Sequence, residues 1–421
     1  MEEYIIEGGN KLFGTAAIPA AKNAVLPIIA GCLLTDEEVV IEKCERLADI
    51  DNMLAIMKGI GCTYCFDGTD LRLRCENPHS YKVDSKLTGV LRSSIFVLGP
   101  MLARMKRAEV SYPGGCDIGL RPIDLHLHGL ACLGVETHEA DGFIFCDGGK
   151  MRAARINLDF PSVGATENIM MAAALTRGTT IIHNAAAEPE ICDLQNFINA
   201  MGGRISGAGS KSITVAGVER LHGCKYAPIA DRIAAGTYLI GGAMCGGSVK
   251  VTNIDSSGLF SLTEKLKRAG CGIIETPTSV TVESDGRLKS IHKTETRPFP
   301  GFPTDLQAQF TALLSVAEGS GMIIENLFEN RFRHTAQLCK MGADISVCGR
   351  AAVVRGVKSL RGAEVLAEDL RGGAALVLAG LCAKGVTRVS GISHIDRGYF
   401  MLENTLTALG GNIVRNYIKT E

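Results

Sequence analysis

Apolar residues at helical spacing recur in six stretches along the chain, and each stretch is followed by a glycine. These glycines are Gly61, Gly134, Gly202, Gly270, Gly342 and Gly410, and neighbouring ones stand 68 to 73 residues apart. A nearly fixed interval of this length indicates repeated structural copies that are larger than those of the usual solenoids. A glycine directly after a helical apolar run is typical of a helix whose last turn ends in the left-handed conformation.

Each copy predicts the same order of elements. A first helix rich in Ala and Leu is followed by a short strand of alternating polarity, and a second, amphipathic helix ends at the glycine. The predicted first helices are 23–34, 93–105, 165–176, 233–245, 306–317 and 370–382; the strands are 39–41, 109–112, 180–183, 249–251, 322–325 and 387–389. One or two further strands follow each glycine. The pattern therefore predicts an α/β protein built from six small α/β copies.

Six copies in 421 residues favour two domains of three copies each. A loop-like passage at 218–228 separates the third copy from the fourth, so we place the boundary near residue 228. The sixth copy is short, because only eleven residues follow Gly410. We expect the strand at 4–7 to complete it, which gives one domain of residues 22–228 and a second of residues 1–21 and 229–421, with the active site in the cleft between them.

Composition and charge exclude several classes of protein. The chain is 46% apolar and has a net charge of −1, so it has no overall attraction for nucleic acid or anionic membranes. Its longest charge-free stretch, 233–249, contains five glycines and predicts a buried helix rather than a membrane span. Fifteen scattered cysteines favour reduced thiols in a cytoplasmic protein. Cys62 and Cys65 form a C-x-x-C without a second ligand pair, so we predict no metal site.

Basic residues stand at or near predicted helix starts, where the helix dipole disfavours a positive charge. They are Lys22, Arg92, Arg121, Arg331, Arg371 and Arg397. For any one of them a surface ion pair is the better interpretation. Six in corresponding places favour a shared anionic ligand. Asp and Ser residues at the same starts have a simpler role as helix N-caps, worth about 1 kcal/mol each, and for a single Asp this interpretation is preferred.

One cysteine differs from the others in its surroundings. Cys116 follows Gly114 and Gly115 and precedes Gly119, in a segment that joins a predicted strand to a helix. A cysteine chosen at random is buried and inert, but flanking glycines predict an exposed, movable loop. Such a loop is suited to deliver a proton to a bound substrate.

Several segments together are specific enough to indicate a family. They are Lys22-Asn23, 91–95, Pro113 to Cys116, 119–126, 162–166, 302–309, 329–332, Asp369 to Arg371 and 394–399. With these segments the chain resembles the UDP-N-acetylglucosamine 1-carboxyvinyltransferases over essentially its whole length. The related enolpyruvylshikimate-phosphate synthases lack the Pro-Gly-Gly-Cys segment and have a different lysine motif near the N-terminus, so they resemble the chain less.

The resemblance implies a two-domain inside-out α/β barrel of the enolpyruvyl transferase type. Each domain contains three repeated α/β units, with helices at the centre and sheets outside. It also implies transfer of the enolpyruvyl group of phosphoenolpyruvate to the 3-hydroxyl of UDP-N-acetylglucosamine by addition and elimination, the first committed step of bacterial peptidoglycan synthesis. No cofactor and no metal are implied. The sequence predicts no particular oligomeric state.

The resemblance also assigns roles to residues of this chain. Cys116 matches the proton donor, which fosfomycin alkylates, and Asp305 matches the group that takes the hydroxyl proton, assisted by Asp369. Lys22 and Arg397 match catalytic residues. Phosphoenolpyruvate contacts are implied for Lys22, Asn23, Arg121, Arg331, Arg371 and Arg397. UDP-N-acetylglucosamine contacts are implied for Asn23, Arg92, Arg121, Pro122, Ile123, Asp124, Leu125, Ser162, Val163, Gly164, Asp305 and Leu327.

Two positions depart from the family pattern. Ala48 stands where some members have a lysine near the phosphoenolpyruvate site, and Arg46 is a possible substitute. Phe160-Pro161 replaces a lysine-containing pair beside the nucleotide site. Two alternatives to a main active enzyme remain at this point: a non-catalytic paralogue that binds UDP-sugars, and a second active isoenzyme. The complete set of matched charged residues argues against the first of these.

Overall fold

The computed structural model describes residues 2–114 and 123–417. Within these residues the strands are β1 Glu2–Glu7, β2 Leu12–Ala17, β3 Glu38–Ile41, β4 Thr63–Asp67, β5 Asp70–Arg74, β6 Arg107–Ser111, β7 Glu136–Ala140, β8 Phe143–Asp147, β9 Arg155–Asn157, β10 Thr179–His183, β11 Ile205–Ser206, β12 Ser212–Ala216, β13 Lys225–Tyr226, β14 Gly247–Thr252, β15 Gly272–Thr276, β16 Ser279–Ser284, β17 Lys293–Glu295, β18 Ser320–Ile324, β19 Asp344–Cys348, β20 Ala351–Arg355, β21 Glu364–Leu366, β22 Val386–Ser390 and β23 Asn412–Tyr417.

The helices alternate with these strands. They are α1 Lys22–Gly31, α2 Ala48–Ile60, α3 Ser85–Val90, α4 Leu98–Met105, α5 Asp124–Cys132, α6 Val163–Ala174, α7 Pro189–Ala200, α8 Arg232–Cys245, α9 Phe260–Arg268, α10 Gln307–Val316, α11 His334–Lys340, α12 Leu370–Cys382 and α13 Leu402–Ala408. Short 3-10 helices cover Cys32–Leu34, Arg92–Val97, Ser256–Leu259, Thr304–Leu306 and Ile392–His394.

The chain forms two compact units, each with its own hydrophobic core. We call residues 20–114 and 123–229 the middle unit. Residues 2–19 and 230–417 hold both ends of the described chain, and we call them the terminal unit. Each unit contains three sheets: β13-β3-β5-β4, β6-β8-β7 and β11-β12-β10-β9 in the middle unit, and β15-β16-β14-β2, β17-β18-β20-β19 and β21-β22-β1-β23 in the terminal unit.

The six sheets are variants of one pattern. In five of them the strand after the first helix pairs in parallel with one neighbour and antiparallel with the other, as β10 does with β9 and β12. The sixth sheet, β6-β8-β7, has only an isolated parallel bridge, Lys82 to Glu109, at the corresponding place. The structure therefore confirms six related α/β copies.

The first helices supply the centre of each unit. In the terminal unit α8, α10 and α12 contact one another, and nearly all of their residues are buried. In the middle unit α4 packs on α6, and α1 contacts the 3-10 helix that precedes α4. This is the inside-out arrangement expected from the sequence, with small apolar side chains of central helices forming the cores.

The six glycines have the predicted backbone conformation. Each follows the second helix of its copy, and their φ angles range from +88° at Gly134 to +118° at Gly61. Because φ values in this range strain residues with a Cβ, glycine is the residue that ends these helices without cost.

Three first helices begin or end in a tighter turn than the periodicity predicted. Residues 92–97 and 304–306 are 3-10 helices before α4 and α10, and 32–34 is a 3-10 helix after α1. The second helix of the last copy starts later than expected, at Leu402, so Arg397 does not lie at its first turn. Apolar periodicity does not distinguish a 3-10 turn from an α-helical one over so few residues.

The sheet of the last copy, β21-β22-β1-β23, is completed by the first strand of the described chain. β1 lies between β22 and β23 and is antiparallel to both, with Ile5 opposite Arg388 and Val414. Arg415 of β23 donates hydrogen bonds to Glu2, Asp396 and Glu403 at 2.6 to 3.0 Å. Tyr4 and Ile6 of β1 are fully buried. The two ends of the described chain are thus held together in one sheet.

The cysteines depart from the expectation of fully reduced thiols. Cys62 and Cys75 form a disulfide between positions 4.3 Å apart at Cα, next to the β4–β5 hairpin. Cys65, the second member of the C-x-x-C, is an exposed free thiol. The pairing depends on the hairpin register, which brings position 75 opposite position 62 and which cysteine spacing alone does not reveal. In the described residues no group of three or more His, Cys, Asp or Glu side chains could hold a metal ion.

Candidate active site

In the terminal unit three of the predicted site residues form one charged cluster. Asp305 lies in the 3-10 helix before α10, where its two carboxylate oxygens accept hydrogen bonds from Arg331 and Arg371. The Arg371 contact is 3.4 Å long. Both arginine side chains are only 5% exposed, whereas Asp305 is 27% exposed. Two buried cations therefore share this carboxylate, and Asp231 also acts on the charge of Arg371.

The two guanidinium groups keep unused donors. Arg331 Nε and Arg371 Nη1 are buried and have no hydrogen-bond partner among the described residues. Burial by itself lowers the pKa of Arg371, but Asp305, followed by Tyr399 and Asp231, raises it above its ordinary value. The side chain therefore stays charged, and an anion with several acceptor atoms is the group that these donors suit.

Asp369 acts as a helix cap beside this cluster. Its Oδ1 accepts the backbone N–H groups of Arg371 and Gly372, each at 2.9 Å, at the start of α12. A Cβ at position 372 would come within 2.6 Å of Asp369 Oδ2, so the glycine gives the carboxylate its room. The N-cap interpretation of this residue is confirmed, and the cap fixes the backbone from which the Arg371 side chain extends.

His334 was not identified from the sequence. It lies at the start of α11, is 3% exposed, and neither ring nitrogen has a hydrogen-bond partner in the part of the chain that is described. Burial lowers the pKa of His334 to about 4; Asp369 opposes this shift and Arg331 adds to it. The imidazole is therefore neutral near pH 7 and adds no further positive charge to the cluster.

A second residue that the sequence did not reveal is Glu325. This fully buried carboxylate directly follows β18 and accepts hydrogen bonds from the hydroxyls of Thr296 and Thr304, at 2.9 and 2.8 Å. It also accepts the backbone N–H groups of Leu327 and Phe328. It thus fixes the segment before Asp305 and the backbone of Leu327, one of the predicted sugar contacts. The signal in the sequence that could have identified Glu325 is an acidic residue at an inward-facing position of a predicted apolar strand.

In the middle unit the predicted lysine has its own carboxylate. Lys22 is the first residue of α1, and its Nζ lies 3.0 Å from Oδ2 of Asp49 in the first turn of α2. The two side chains are 11% and 2% exposed. Asn23 follows in α1 and is half-buried. Arg46, which the sequence offered in place of a lysine at 48, is exposed and paired with Asp51.

Arg92 contacts the segment that leads to the cysteine loop. Its Nη1 donates to the backbone carbonyl of Pro113 at 3.1 Å. Gly114 N donates to Thr88 O at 3.0 Å, and a Cβ on Gly114 would lie 2.2 Å from Gly89 O. The entry to the loop is therefore held at a spacing that only glycine permits. Cys116, Arg121 and Pro122 lie outside the described residues, so their predicted roles stay predictions.

The predicted nucleotide contacts of the middle unit lie at two helix starts. Ser162 caps α6 by accepting the N–H of Ala165 at 3.3 Å, and Val163 and Gly164 form its first turn. Ile123 is buried directly before α5, in which Asp124 is exposed and Leu125 half-buried.

Buried His126 connects these two helix starts. A Cβ at Gly164 would approach its ring within 3.1 Å. Its Nδ1 lies 2.8 Å from Asn168 Nδ2, and because an amide nitrogen only donates, Nδ1 accepts and the ring proton is on Nε2. Burial, followed by Arg92, lowers the pKa of His126 to about 3.

Arg397 lies in the terminal unit after the 3-10 helix Ile392–His394 and is half-buried. Its neighbour Asp396 accepts two hydrogen bonds from Arg415, at 2.6 and 3.0 Å. The backbone that carries Arg397 is thereby fixed to the last strand of the sheet.

The chain matches known proteins over nearly its full length. Residues 6–406 match the family model of EPSP synthase (3-phosphoshikimate 1-carboxyvinyltransferase). UDP-N-acetylglucosamine 1-carboxyvinyltransferase 2 of Caldanaerobacter subterraneus subsp. tengcongensis is 49% identical, with 99% of this chain and 100% of the relative covered. The protein of that name from Carboxydothermus hydrogenoformans is 48% identical, with 99% of both chains covered. This chain belongs to the UDP-N-acetylglucosamine 1-carboxyvinyltransferase family.

Solved structures agree on the fold of this transferase family member. The enolpyruvyl transferase NikO from Streptomyces tendae superposes with a TM-score of 0.87 at 23% identity, over 98% of both chains. EPSP synthase from Acinetobacter baumannii gives a TM-score of 0.76 at 16% identity, over 99% of this chain and 100% of the other. The enolpyruvyl transferase fold expected from the sequence is confirmed. Among the described residues, no helix combines the length and apolar character that crossing a membrane requires.

Proposed function

We propose that this protein transfers the enolpyruvyl group of phosphoenolpyruvate to the 3-hydroxyl of UDP-N-acetylglucosamine and releases phosphate, in the first committed step of bacterial peptidoglycan synthesis. The observation that carries the proposal is the cluster in which Asp305 is shared by Arg331 and Arg371. Its two permanent cations, each with an unused buried donor, suit a small, multiply charged anion. The reaction takes place in the cytoplasm, where both substrates are used.

In the addition step the methylene carbon of phosphoenolpyruvate gains a proton and the sugar oxygen bonds to its central carbon. Cys116 supplies the proton from its thiol, and Asp305 takes the proton of the attacking hydroxyl. Positive character develops at the central carbon, and carboxylates such as Asp305 and Asp369 stabilise it. The permanent cations Arg331 and Arg371 hold the substrate carboxylate throughout.

In the elimination step the bond between the central carbon and the phosphate oxygen breaks, and phosphate leaves with the bonding electrons. One methyl proton passes to the Cys116 thiolate, which restores the thiol and the carbon–carbon double bond on the sugar product, and the proton held by Asp305 leaves with the phosphate. Lys22, Arg121 and Arg397 hold the phosphate, and Asn23 contacts both substrates. The sugar nucleotide is held by Arg92, Arg121 to Leu125, Ser162 to Gly164, Asp305 and Leu327. Charge neutralisation and positioning, without a cofactor, supply the catalysis.

Phosphate release by the purified chain tests the proposal. Incubation with phosphoenolpyruvate and UDP-N-acetylglucosamine should release one phosphate for each enolpyruvyl sugar formed, and omission of either substrate should abolish release. Shikimate 3-phosphate in place of the sugar nucleotide tests the related reaction and should give no phosphate. Binding of UDP-N-acetylglucosamine without phosphate release would favour a non-catalytic sugar-nucleotide binding protein.

A further inference from the structure

A cavity of about 370 Å³ lies in the surface of the terminal unit, formed in part by one face of α9. Its charged lining consists of Glu264, Lys265, Arg268, Lys293, Glu295 and Arg297. None of these residues belongs to the candidate active site. Four cations against two carboxylates give the lining a formal charge of +2. The volume is within the range of about 300 to 1,000 Å³ that is typical of small-molecule sites.

The two acids of the lining already have cationic partners. Glu295 contacts Lys293 and accepts hydrogen bonds from Arg297, the shorter of which is 2.6 Å. Glu264 accepts a hydrogen bond from Lys267 at 2.8 Å. Lysine and arginine neighbours, Lys293 first, lower the pKa of Glu295. Both carboxylates therefore already have basic partners, and neither forms an ion pair with the remaining two cations of the lining.

Lys265 and Arg268 are those two cations. Within the described residues neither makes a hydrogen bond or an ion pair. The stem of Lys265 is half-buried, and its ammonium lies 5.4 Å from the centre of the buried Phe302 ring. Burial, followed by the nearby charge of Arg268, lowers the pKa of Lys265, and the more weakly acting Glu295 opposes this shift. An anion between these two groups would relieve both the desolvation of the ammonium and the repulsion between the cations.

We propose that this cavity binds a small phosphate-bearing anion through Lys265 and Arg268. They are three residues apart in α9, so their side chains share one face of the helix and can contact different oxygens of the same group. A phosphate dianion matches the formal charge of the lining. The room beyond the two cations admits the organic part of a phosphate monoester. The proposal does not depend on the proposed function.

Titration calorimetry with two probes, inorganic phosphate and glycerol 3-phosphate, tests the site. The test variant is Lys265→Met with Arg268→Gln, because methionine keeps most of the apolar stem against Phe302. The matched control is Lys289→Met with Arg287→Gln. These are exposed residues of the same unit that do not line the cavity, and Arg287 is paired only with Asp285. Phosphate bound at the active site is common to all three proteins, so differences between them report on the cavity.

The wild type and the control should bind each probe at one more class of sites than the test variant does. Alternatively, they should bind it at least tenfold more tightly at one class of sites. Tighter binding of glycerol 3-phosphate than of inorganic phosphate would identify a monoester as the ligand; equal binding would identify phosphate itself. Identical titrations of the wild type and the test variant would refute the proposal. If the double variant fails to fold, Arg268→Gln alone is decisive, because Arg268 is exposed and supports no core packing.

Hydrogen exchange supplies an independent measurement. Arg297 and Phe302 line the cavity, and the turn between them is closed by a hydrogen bond from Arg297 N to Phe302 O at 3.0 Å. Added phosphate should slow amide exchange in this segment in the wild type and the control, and leave it unchanged in the test variant. Equal slowing in all three proteins would locate the effect elsewhere and overturn the proposal.

Discussion

The two units differ in how their buried charged side chains are paired. In the terminal unit Arg331 and Arg371 share the single carboxylate of Asp305, and each keeps an unused donor. In the middle unit Lys22 contacts the carboxylate of Asp49 at 3.0 Å. Buried cations with unused donors suit an added anion better than a lysine that already contacts a carboxylate. Under the proposed function we therefore expect the terminal unit to contribute most to binding the substrate anion, and Lys22 to exchange Asp49 for that anion.

Buried carboxylates show the same contrast. Glu325 of the terminal unit is fully buried and accepts four hydrogen bonds. Glu167 of the middle unit is equally buried, and neither carboxylate oxygen has a hydrogen-bond partner within residues 2–114 and 123–417. Burial, followed by Glu190 and Glu188, raises the pKa of Glu167 well above its ordinary value. One acid therefore has a hydrogen-bond donor at each oxygen and orders a loop, whereas the other favours its neutral form.

The largest effect should follow from removing one arginine of the shared cluster. Arg371→Met leaves Asp305 and Arg331 as a neutral pair, and kcat/KM for phosphoenolpyruvate should fall about 1,000-fold, because a lost buried charged contact costs roughly 3–5 kcal/mol. Steady-state phosphate release measures this. Arg355→Met, which removes an exposed arginine paired with Asp344, is the control. A loss below tenfold would contradict the role of the cluster in anion capture.

Glu325→Gln should have the next largest effect. The amide keeps the shape of the side chain but replaces one accepting oxygen with a donor, so hydrogen bonds from Thr296, Thr304, Leu327 and Phe328 are lost in part. Leaving a buried donor without an acceptor costs about 1–3 kcal/mol, so the free energy of unfolding should fall by roughly 2–3 kcal/mol in urea titrations. Glu329→Gln, at an exposed residue paired with Arg350, should change it by less than about 0.5 kcal/mol. Equal decreases in the free energy of unfolding of the two variants would show that the hydrogen bonds of Glu325 do not stabilise the fold.

Asp49→Asn tests whether Lys22 of the middle unit is held by Asp49 until the substrate anion binds. If the substrate anion competes with Asp49 for Lys22, removing the carboxylate charge should lower KM for phosphoenolpyruvate. The rate constant kcat should fall about tenfold, a loss of roughly 1.4 kcal/mol, because the ammonium is no longer held in place. Asp51→Asn, which disturbs only the exposed pair with Arg46, should change neither constant. A rise in KM with unchanged kcat would reject the competition.

The smallest expected effect concerns Glu167. Because its pKa is raised in the folded state, the unfolded chain loses the proton at lower pH, near the ordinary value of about 4.3. The contribution of protonated Glu167 to the free energy of unfolding is therefore fully present below that pH. It is lost as the pH rises towards the folded-state pKa. Glu167→Gln does not titrate, so its free energy of unfolding should match that of the wild type near pH 4 and exceed it at pH 8.

Thermal unfolding at several pH values measures the Glu167 effect. Glu136→Gln, at an exposed residue that pairs with Lys150, should show no such pH dependence. A difference between Glu167→Gln and the wild type that stays constant from pH 4 to pH 8 would mean that Glu167 is ionised in the folded protein.

Local patterns predicted the repeating framework well, and the reason is physical. Left-handed helix ends need glycine, so Gly61 and its five counterparts mark every second helix. The first helix of the last copy was predicted at its observed bounds, 370–382, because an uninterrupted run of small apolar residues is a strong local signal. The 3-10 turns at 92–97 and 304–306 were missed, because they depend on how the chain enters a packed helix.

The candidate site was predicted by residue type but not by partner. Asp305, Arg331 and Arg371 were identified, whereas Glu325, His334 and Asp49 were not. Whether a charged side chain is buried, and beside which other charge, depends on contacts between residues distant in sequence. Asp49 illustrates this: its position in the first turn of α2 is typical of a helix-start acid, and only the packing of α1 on α2 turns it into the partner of Lys22.

The position of β1 has a consequence for synthesis on the ribosome. The middle unit can assemble once residues near 229 have left the exit tunnel. β1 has no strand to pair with until β22 and β23, almost 400 residues later, have been translated. Because domains generally fold as they emerge, the nascent protein carries one finished half while its opening strand, with apolar Tyr4 and Ile6 uncovered, still lacks a sheet to join. That interval is when this chain most needs protection by chaperones.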